Sequence, residues 1–200
     1  ISGVAFTTSN PDASVFDGYE LANSNIQHCY FRGFRYVLNG KLTLLSRFSD
    51  NVVLDIQECG LTNKNITPPE AKSMSDCWIE RNYFNGSVTS ADPSLIAGLH
   101  IHYPANLWIA NNFIDFCHDG IFVESGEHSS ISGNLLDYCF RGIHLKTVNQ
   151  ATVTGNRVTH CNNAEKTRWT APTAAMQSDD WTAIRLGFGS KNSNLTGNIV

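Results

Sequence analysis

Residues 116–145 read FCHDGIFVESGEHSSISGNLLDYCFRGIHL, and the phrase Cys-x-x-Gly-Ile-x-aliphatic occurs in them twice, once from Cys117 and again from Cys139. The step is 22 residues, and other residues share it. Cys161 follows Cys139 by 22, Asn112, Asn134 and Asn156 keep the same step, and so do Gly98, Gly120 and Gly142. Three residue types on one period identify a structural repeat, which has to be settled before any local propensity is weighed.

One unit is Gly-apolar-x-apolar, a polar bend, an apolar residue three before Asn, then Asn-x-apolar-x-x-Cys. Ile79, Ile109, Ile131, Val153 and Leu195 stand three before Asn82, Asn112, Asn134, Asn156 and Asn198. Stretches such as Leu99-His100-Ile101-His102 and Ile143-His144-Leu145-Lys146 alternate with period two, which suits short strands with one buried face. No window carries the 3.6-residue pattern of an amphipathic helix. Asn82 to Asn112 is a step of 30 and Asn156 to Asn198 a step of 42, so loop insertions are expected near 87–97 and 162–181.

A unit this short cannot bury its own apolar face. Stacking successive units in parallel, about 4.8 Å apart, puts like positions in columns and makes one continuous core. Asn columns at the bends would then bond side chain to side chain along the axis. Cys is small and apolar enough to stack inside as a ladder of free thiols. The six Cys include no Cys-x-x-Cys, which argues against a metal knuckle. Ile26-Gln27-His28-Cys29 and Ile56-Gln57-Glu58-Cys59 read as earlier coils of looser register, with Cys29 and Cys59 in the same ladder and Cys77 elsewhere.

GIFVESGEHSSISGNLLDYC and GIHLKTVNQATVTGNRVTHC resemble the repeat of the pectate-lyase-like superfamily. The fold that this implies is all-β: a right-handed, single-stranded parallel β-helix with three short strands per coil. Residues 1–200 would form one such segment, less regular over 1–75 and regular over 76–200. Members of the superfamily include polysaccharide lyases, polygalacturonases, sugar epimerases and trimeric phage tailspikes. The resemblance therefore implies a polysaccharide partner, and a homotrimeric tailspike-like depolymerase on a virion tail, acting as glycoside hydrolase or lyase. The alternatives are a non-catalytic adhesin or stalk, and a secreted bacterial lyase or epimerase. Gly-His-Gly, Arg-Ile-Lys and Asn-Thr-Asp are absent, so no polygalacturonase residue carries over.

Composition narrows the partners. A net charge of −4 and the lack of a clustered basic stretch argue against nucleic acid, and no run of about 18 apolar residues suggests membrane insertion. The chain opens at Ile1 without Met and closes at Asn198-Ile199-Val200 inside the repeat. A segment of a longer polypeptide is expected.

Alternation after each Gly assigns Leu99, Ile101, Ile121, Val123, Ile143, Leu145, Ile184 and Leu186 to the inside. Outside, His100, Phe122, His144 and Arg185 form one column, and His102, Glu124, Lys146 and Gly187 another. Phe122 is expected to stack on a sugar ring, with His100, His102, His144, Lys146, Arg141 and Arg185 binding beside it. Trp169 and Trp181, in the longer insertion, would add a wall. The two insertions would flank a groove floored by the minimal links His118-Asp119 and Phe140-Arg141.

Glycoside hydrolysis needs two carboxyls, about 5 Å apart for retention and about 6.5–9.5 Å for inversion. Glu124 with Asp119, or Glu124 with Glu127, is the expected pair, and Asp115 with Asp137 the rival. A lyase would instead draw a base from His102, His144 or Lys146, with Arg185 neutralising a uronate. His100-x-His102 sends two imidazoles the same way with Glu124 alongside, but surface His pairs are far commoner than zinc sites. No metal and no cofactor are assigned.

Overall fold

Single left-handed residues, stacked coil upon coil, turn the chain into a three-sided helix. Asn111, Gly133, Gly155 and Gly197 lie one above the other with φ of 56°, 63°, 64° and 62°. Phe116, Tyr138 and His160 mark a second corner at 51°, 50° and 51°, and Tyr103, Ser125 and Thr147 a third at 49°, 57° and 56°. One residue in this conformation bends a strand sharply without a long loop. The computed structural model describes residues 1–64, 74–87, 96–161, 182–187 and 189–200. The insertions, with Trp169 and Trp181, lie largely or wholly outside the described residues.

Three strands make each coil. The first holds β1 (Ala5–Thr7), β2 (Ser14–Ala22) and β3 (Asn25–Gln27); the second β4 (Tyr30–Arg32), β5 (Tyr36–Thr43) and β6 (Arg47–Ser49). The third has β7 (Val52–Ile56), β8 (Cys59–Thr62) and β9 (Met74–Glu80); the fourth β10 (Tyr83–Gly86), β11 (Ala97–His102) and β12 (Pro104–Ala110). The fifth has β13 (Phe113–Asp115), β14 (Asp119–Glu124) and β15 (Glu127–Ser132); the sixth β16 (Leu135–Asp137), β17 (Arg141–Lys146) and β18 (Thr152–Thr154). The seventh is β19 (Arg157–Thr159), β20 (Thr182–Leu186) and β21 (Asn194–Thr196). Every third strand pairs in parallel, giving three seven-stranded sheets. The less regular first third of the chain is thus built of full coils.

The expected interior is present except on the last strand, where Ile184 is only partly buried against the core and Leu186 departs further. Leu99, Ile101, Ile121, Val123, Ile143 and Leu145 are fully buried in a single core that runs from Ile26 to Val158. Leu186 pairs in register with Leu145 but is 41% exposed, β20 being the last of the described strands in its sheet.

The Asn column forms a closed hydrogen-bond ladder. Asn134 Nδ2 donates to Asn156 Oδ1 (2.9 Å) and to the Ile109 carbonyl (3.0 Å), while its Oδ1 accepts from the Asn112 backbone N (2.9 Å) and Asn112 Nδ2 (3.0 Å). Asn82, Asn112 and Asn156 repeat the pattern. Asn51 adds a rung below Asn82; it escapes the sequence pattern because Phe48 stands three before it.

The cysteines need two corrections. All six are free, and Cys117, Cys139 and Cys161 stack as expected, with Phe140 N donating to the Cys117 carbonyl. Cys29, however, occupies the Asn column, its backbone N donating to Asn51 Oδ1 at 2.9 Å. Cys59 belongs to the edge column Tyr36, Cys59, Ala97, Asp119, Arg141. Cys is buried in both places, so composition alone could not tell them from the thiol ladder.

Candidate functional site

The outward face of the second sheet, from β8 to β20, holds the candidate residues. The register is the expected one: His100 faces Phe122, Phe122 faces His144 and His144 faces Arg185, while His102 faces Glu124 and Glu124 faces Lys146. The rings stack. His100 lies 4.5 Å from Phe122 and Phe122 4.7 Å from His144, centroid to centroid, and His100 also lies 4.6 Å from His102. Both faces of Phe122 are therefore taken by imidazoles, and the expected sugar stacking is left only its edge.

Burial, reinforced by neighbouring His102, brings the His100 pKa down to about 4, and burial lowers that of His102 too. Both imidazoles are neutral at neutral pH. Nε2 of each is buried and has no hydrogen-bond partner among the described residues. Asn63 clamps the His102 backbone from the preceding coil, donating from Nδ2 to its carbonyl and accepting from its N–H, each at 2.7 Å.

Glu124 Oε1 accepts from Lys146 Nζ at 2.5 Å, and Oε2 lies 3.5 Å from His102 Nδ1. Burial pushes this carboxyl up, but Lys146 and His102 outweigh it and the net shift is downward. One ring nitrogen from each of His100 and His102 and one Glu124 oxygen lie within 4.8 Å of one another. These are the described side chains placed to share a metal ion.

The other end of β14 is a buried ion pair. Arg141 donates to Asp119 twice, Nε to Oδ1 at 2.6 Å and a terminal nitrogen to Oδ2 at 2.7 Å. His118 Nδ1 meets Oδ2 at 3.2 Å. Asp119 is 8% exposed; burial alone would raise its pKa, yet His118 and Arg141 pull it down to about 2. His118 stacks on Phe140 at 4.7 Å, and both are buried. The minimal links expected to floor an open groove are instead packed. Arg141 also lies over the Phe122 ring, 5.9 Å from its centroid.

Of the expected carboxylate pairs, Asp119 with Glu124 does not assemble. Asp119 and Glu124 open and close one six-residue strand, so at about 3.3 Å per residue their backbones stand roughly 16 Å apart. Glu127 opens β15, on the next sheet round the corner at Ser125. Asp115 and Asp137 do sit directly opposite each other, but each is bonded to the coil on its own far side. Asp115 accepts from Asn85 Nδ2 (2.6 Å) and Tyr83 OH (3.1 Å); Asp137 accepts from Thr159 Oγ1 (3.1 Å) and meets His160 Nδ1 at 2.7 Å.

A second charged cluster prolongs the face and was missed in the sequence. Glu58 accepts from Arg35 Nε at 2.7 Å and pairs with Lys64. Burial would raise its pKa, but Lys64, Tyr36 and Arg35 hold it at about 2. Lys64 also reaches over the Tyr36 ring. The available signal was the match of Cys59-Gly60-Leu61-Thr62 to Ala97-Gly98-Leu99-His100, which β8 and β11 pair in that register.

Seven parallel coils with a ring-stacked, ion-paired outer face define the chain as a parallel β-helix. A family model described as a right-handed β-helix region matches residues 75–200, and the chain belongs to that family. The fold is one found in polysaccharide-processing proteins. No curated protein matches the chain.

Proposed function

We propose that the outward face of the second sheet binds a bacterial surface polysaccharide and that the protein cleaves it as a tailspike-like depolymerase. The observation that carries this reading is the concentration, on that face, of a ring column flanked by charged columns. His100, Phe122 and His144 run between the Asp119–Arg141 pair and the Glu124–Lys146 pair. Polar groups beside apolar edges are what sugar recognition uses. In this reading the protein is a homotrimer on a virion tail and acts outside the cell.

Elimination suits the face better than hydrolysis by Asp119 with Glu124. A separation of roughly 16 Å between Asp119 and Glu124 exceeds the about 5–9.5 Å that glycosidase carboxyls span. A lyase needs a base and a cation near a uronate, and the face offers His102, His144 and Lys146 for the first and Arg185 for the second. One observation favours the non-catalytic adhesin as a second reading: Asp119 and Glu124 are each ion-paired to the next coil, an arrangement that also serves to staple coils together.

Incubating the full-length protein with a panel of capsular and O-antigen polysaccharides tests these readings. Ultraviolet absorbance of an unsaturated uronate supports elimination, and Lys146→Gln is expected to slow its appearance about 100-fold. Lys146 is exposed, so this variant should keep its melting temperature. New reducing ends without that absorbance would establish hydrolysis and refute elimination. Binding without cleavage supports the adhesin, and the absence of both binding and cleavage rejects a polysaccharide partner.

A further inference from the structure

We propose that His100, His102 and Glu124 form a binding site for a divalent transition metal of the zinc class. The inference stands apart from the polysaccharide reading, since it concerns an ion and rests on the placement and burial of three donor groups. His100 and His102 are two apart on β11, so the pleat sends both imidazoles to the same side. Glu124 faces His102 from β14 in direct register. The three donor atoms lie within 4.8 Å of one another. Bonds of 2.0–2.1 Å in a tetrahedron place donors about 3.3 Å apart, so closing the set requires the stacked rings of His100 and His102 to turn their donor nitrogens toward one point.

A further observation points to a ligand. Nε2 of His100 and Nε2 of His102 are both buried without a hydrogen-bond partner among the described residues. A buried polar atom in that state is costly and calls for an explanation, and an ion held by Nε2 of each ring would supply one. The Asn63 clamp on the His102 backbone fixes one ligand from behind, as supporting contacts do in metal sites.

Lys146 is the internal competitor. Its ammonium sits 2.5 Å from Glu124 Oε1, a single positive charge where a doubly charged ion would bind. Its side chain is 52% exposed and free to swing into solvent. Two nitrogens and one carboxylate oxygen suit zinc, cobalt, nickel or copper better than calcium or magnesium. Three protein ligands leave a fourth position open to water or to a bound anion, the arrangement of catalytic rather than structural zinc.

The test titrates Co²⁺, then Zn²⁺, into the chelator-treated full chain. About one ion per chain is expected to survive gel filtration, with visible bands of tetrahedral cobalt that zinc abolishes. His102→Ala and Glu124→Gln should each weaken binding at least about tenfold, with melting curves confirming that both fold. His128→Asn, an exposed histidine replaced by a residue suited to its φ of 52°, should change nothing. Lys146→Met should tighten binding by about threefold to fivefold, the worth of a lost exposed ion pair, a gain that a damaged fold could not produce. Failure to take up an ion overturns the proposal. So does uptake that is indifferent to His102→Ala, Glu124→Gln and Lys146→Met, which would mean an adventitious ion only.

Discussion

At the scale of the residue, buried Asn134 uses its whole bonding capacity: two donors and one twice-accepting oxygen, all satisfied by the turns directly below and above it. Ala in its place would strand the Asn112 backbone N–H, an Asn112 side-chain N–H and the Ile109 carbonyl, all away from water. Unsatisfied buried groups cost about 1–3 kcal/mol each, with partial relaxation expected. Asn134→Ala should therefore lower the unfolding free energy by about 3 kcal/mol in urea denaturation. A loss under about 1 kcal/mol would show that the ladder contributes shape and little stability.

At the scale of the element, the column Gly60, Gly98, Gly120, Gly142 shows why the period needs a residue without Cβ. A Cβ on Gly120 would lie 2.7 Å from the Gly142 carbonyl oxygen and 2.4 Å from Leu136 Cδ2; one on Gly98 would lie 2.8 Å from the Gly120 carbonyl oxygen. The carbonyl belongs to the next strand's backbone and cannot move aside without opening the sheet. Gly120→Ala is accordingly expected to cost about 1–3 kcal/mol, read as a lower melting temperature with the β-sheet circular dichroism retained. An unchanged melting temperature would mean that coils separate more readily than their register suggests.

The same column explains what was legible in the sequence. Gly, Cys and Asn recur because each is constrained by the adjacent coils, so period, sheet order and the inward set could be read directly. Outward residues answer to no such constraint. That His100, Phe122 and His144 share a column follows from period two, but that they stack so closely as to close both faces of Phe122 depends on rotamers. The pairing of Asp119 with Arg141 and of Glu124 with Lys146 was implicit in the register. The distance between Asp119 and Glu124 was also implicit, since five residues of strand cannot bring two carboxyls together. Asn63 and Lys64 lay hidden because they follow β8 where no repeat marks the position.

At the scale of the whole molecule, two buried carboxylates tie coils together and make the fold sensitive to acid. Glu58 binds Arg35 of the coil below, and Asp119 binds Arg141 of the coil above. Burial works against the charged form of both, but their partners prevail and each pKa falls to about 2, from 4.5 for Glu58 and 3.8 for Asp119. Since the folded values lie below the unfolded ones, the unfolded chain binds more protons as acid is added, and stability falls with falling pH. The contribution is complete above about pH 4.5 and is lost progressively toward pH 2. A shift of this size corresponds to on the order of 2–3 kcal/mol for each group. Because stability in a stacked solenoid is carried by contacts between neighbouring coils, weakening two such contacts at once should lower the whole unfolding transition. Urea midpoints measured from pH 6 to pH 2.5 are expected to drop steeply below about pH 4.5, and Asp119→Asn should flatten the lower part of that slope while lowering the plateau. If the variant's midpoint tracks the parent's at every pH, the Asp119 carboxylate is not coupled to folding and the ion pair with Arg141 does not hold the coils together.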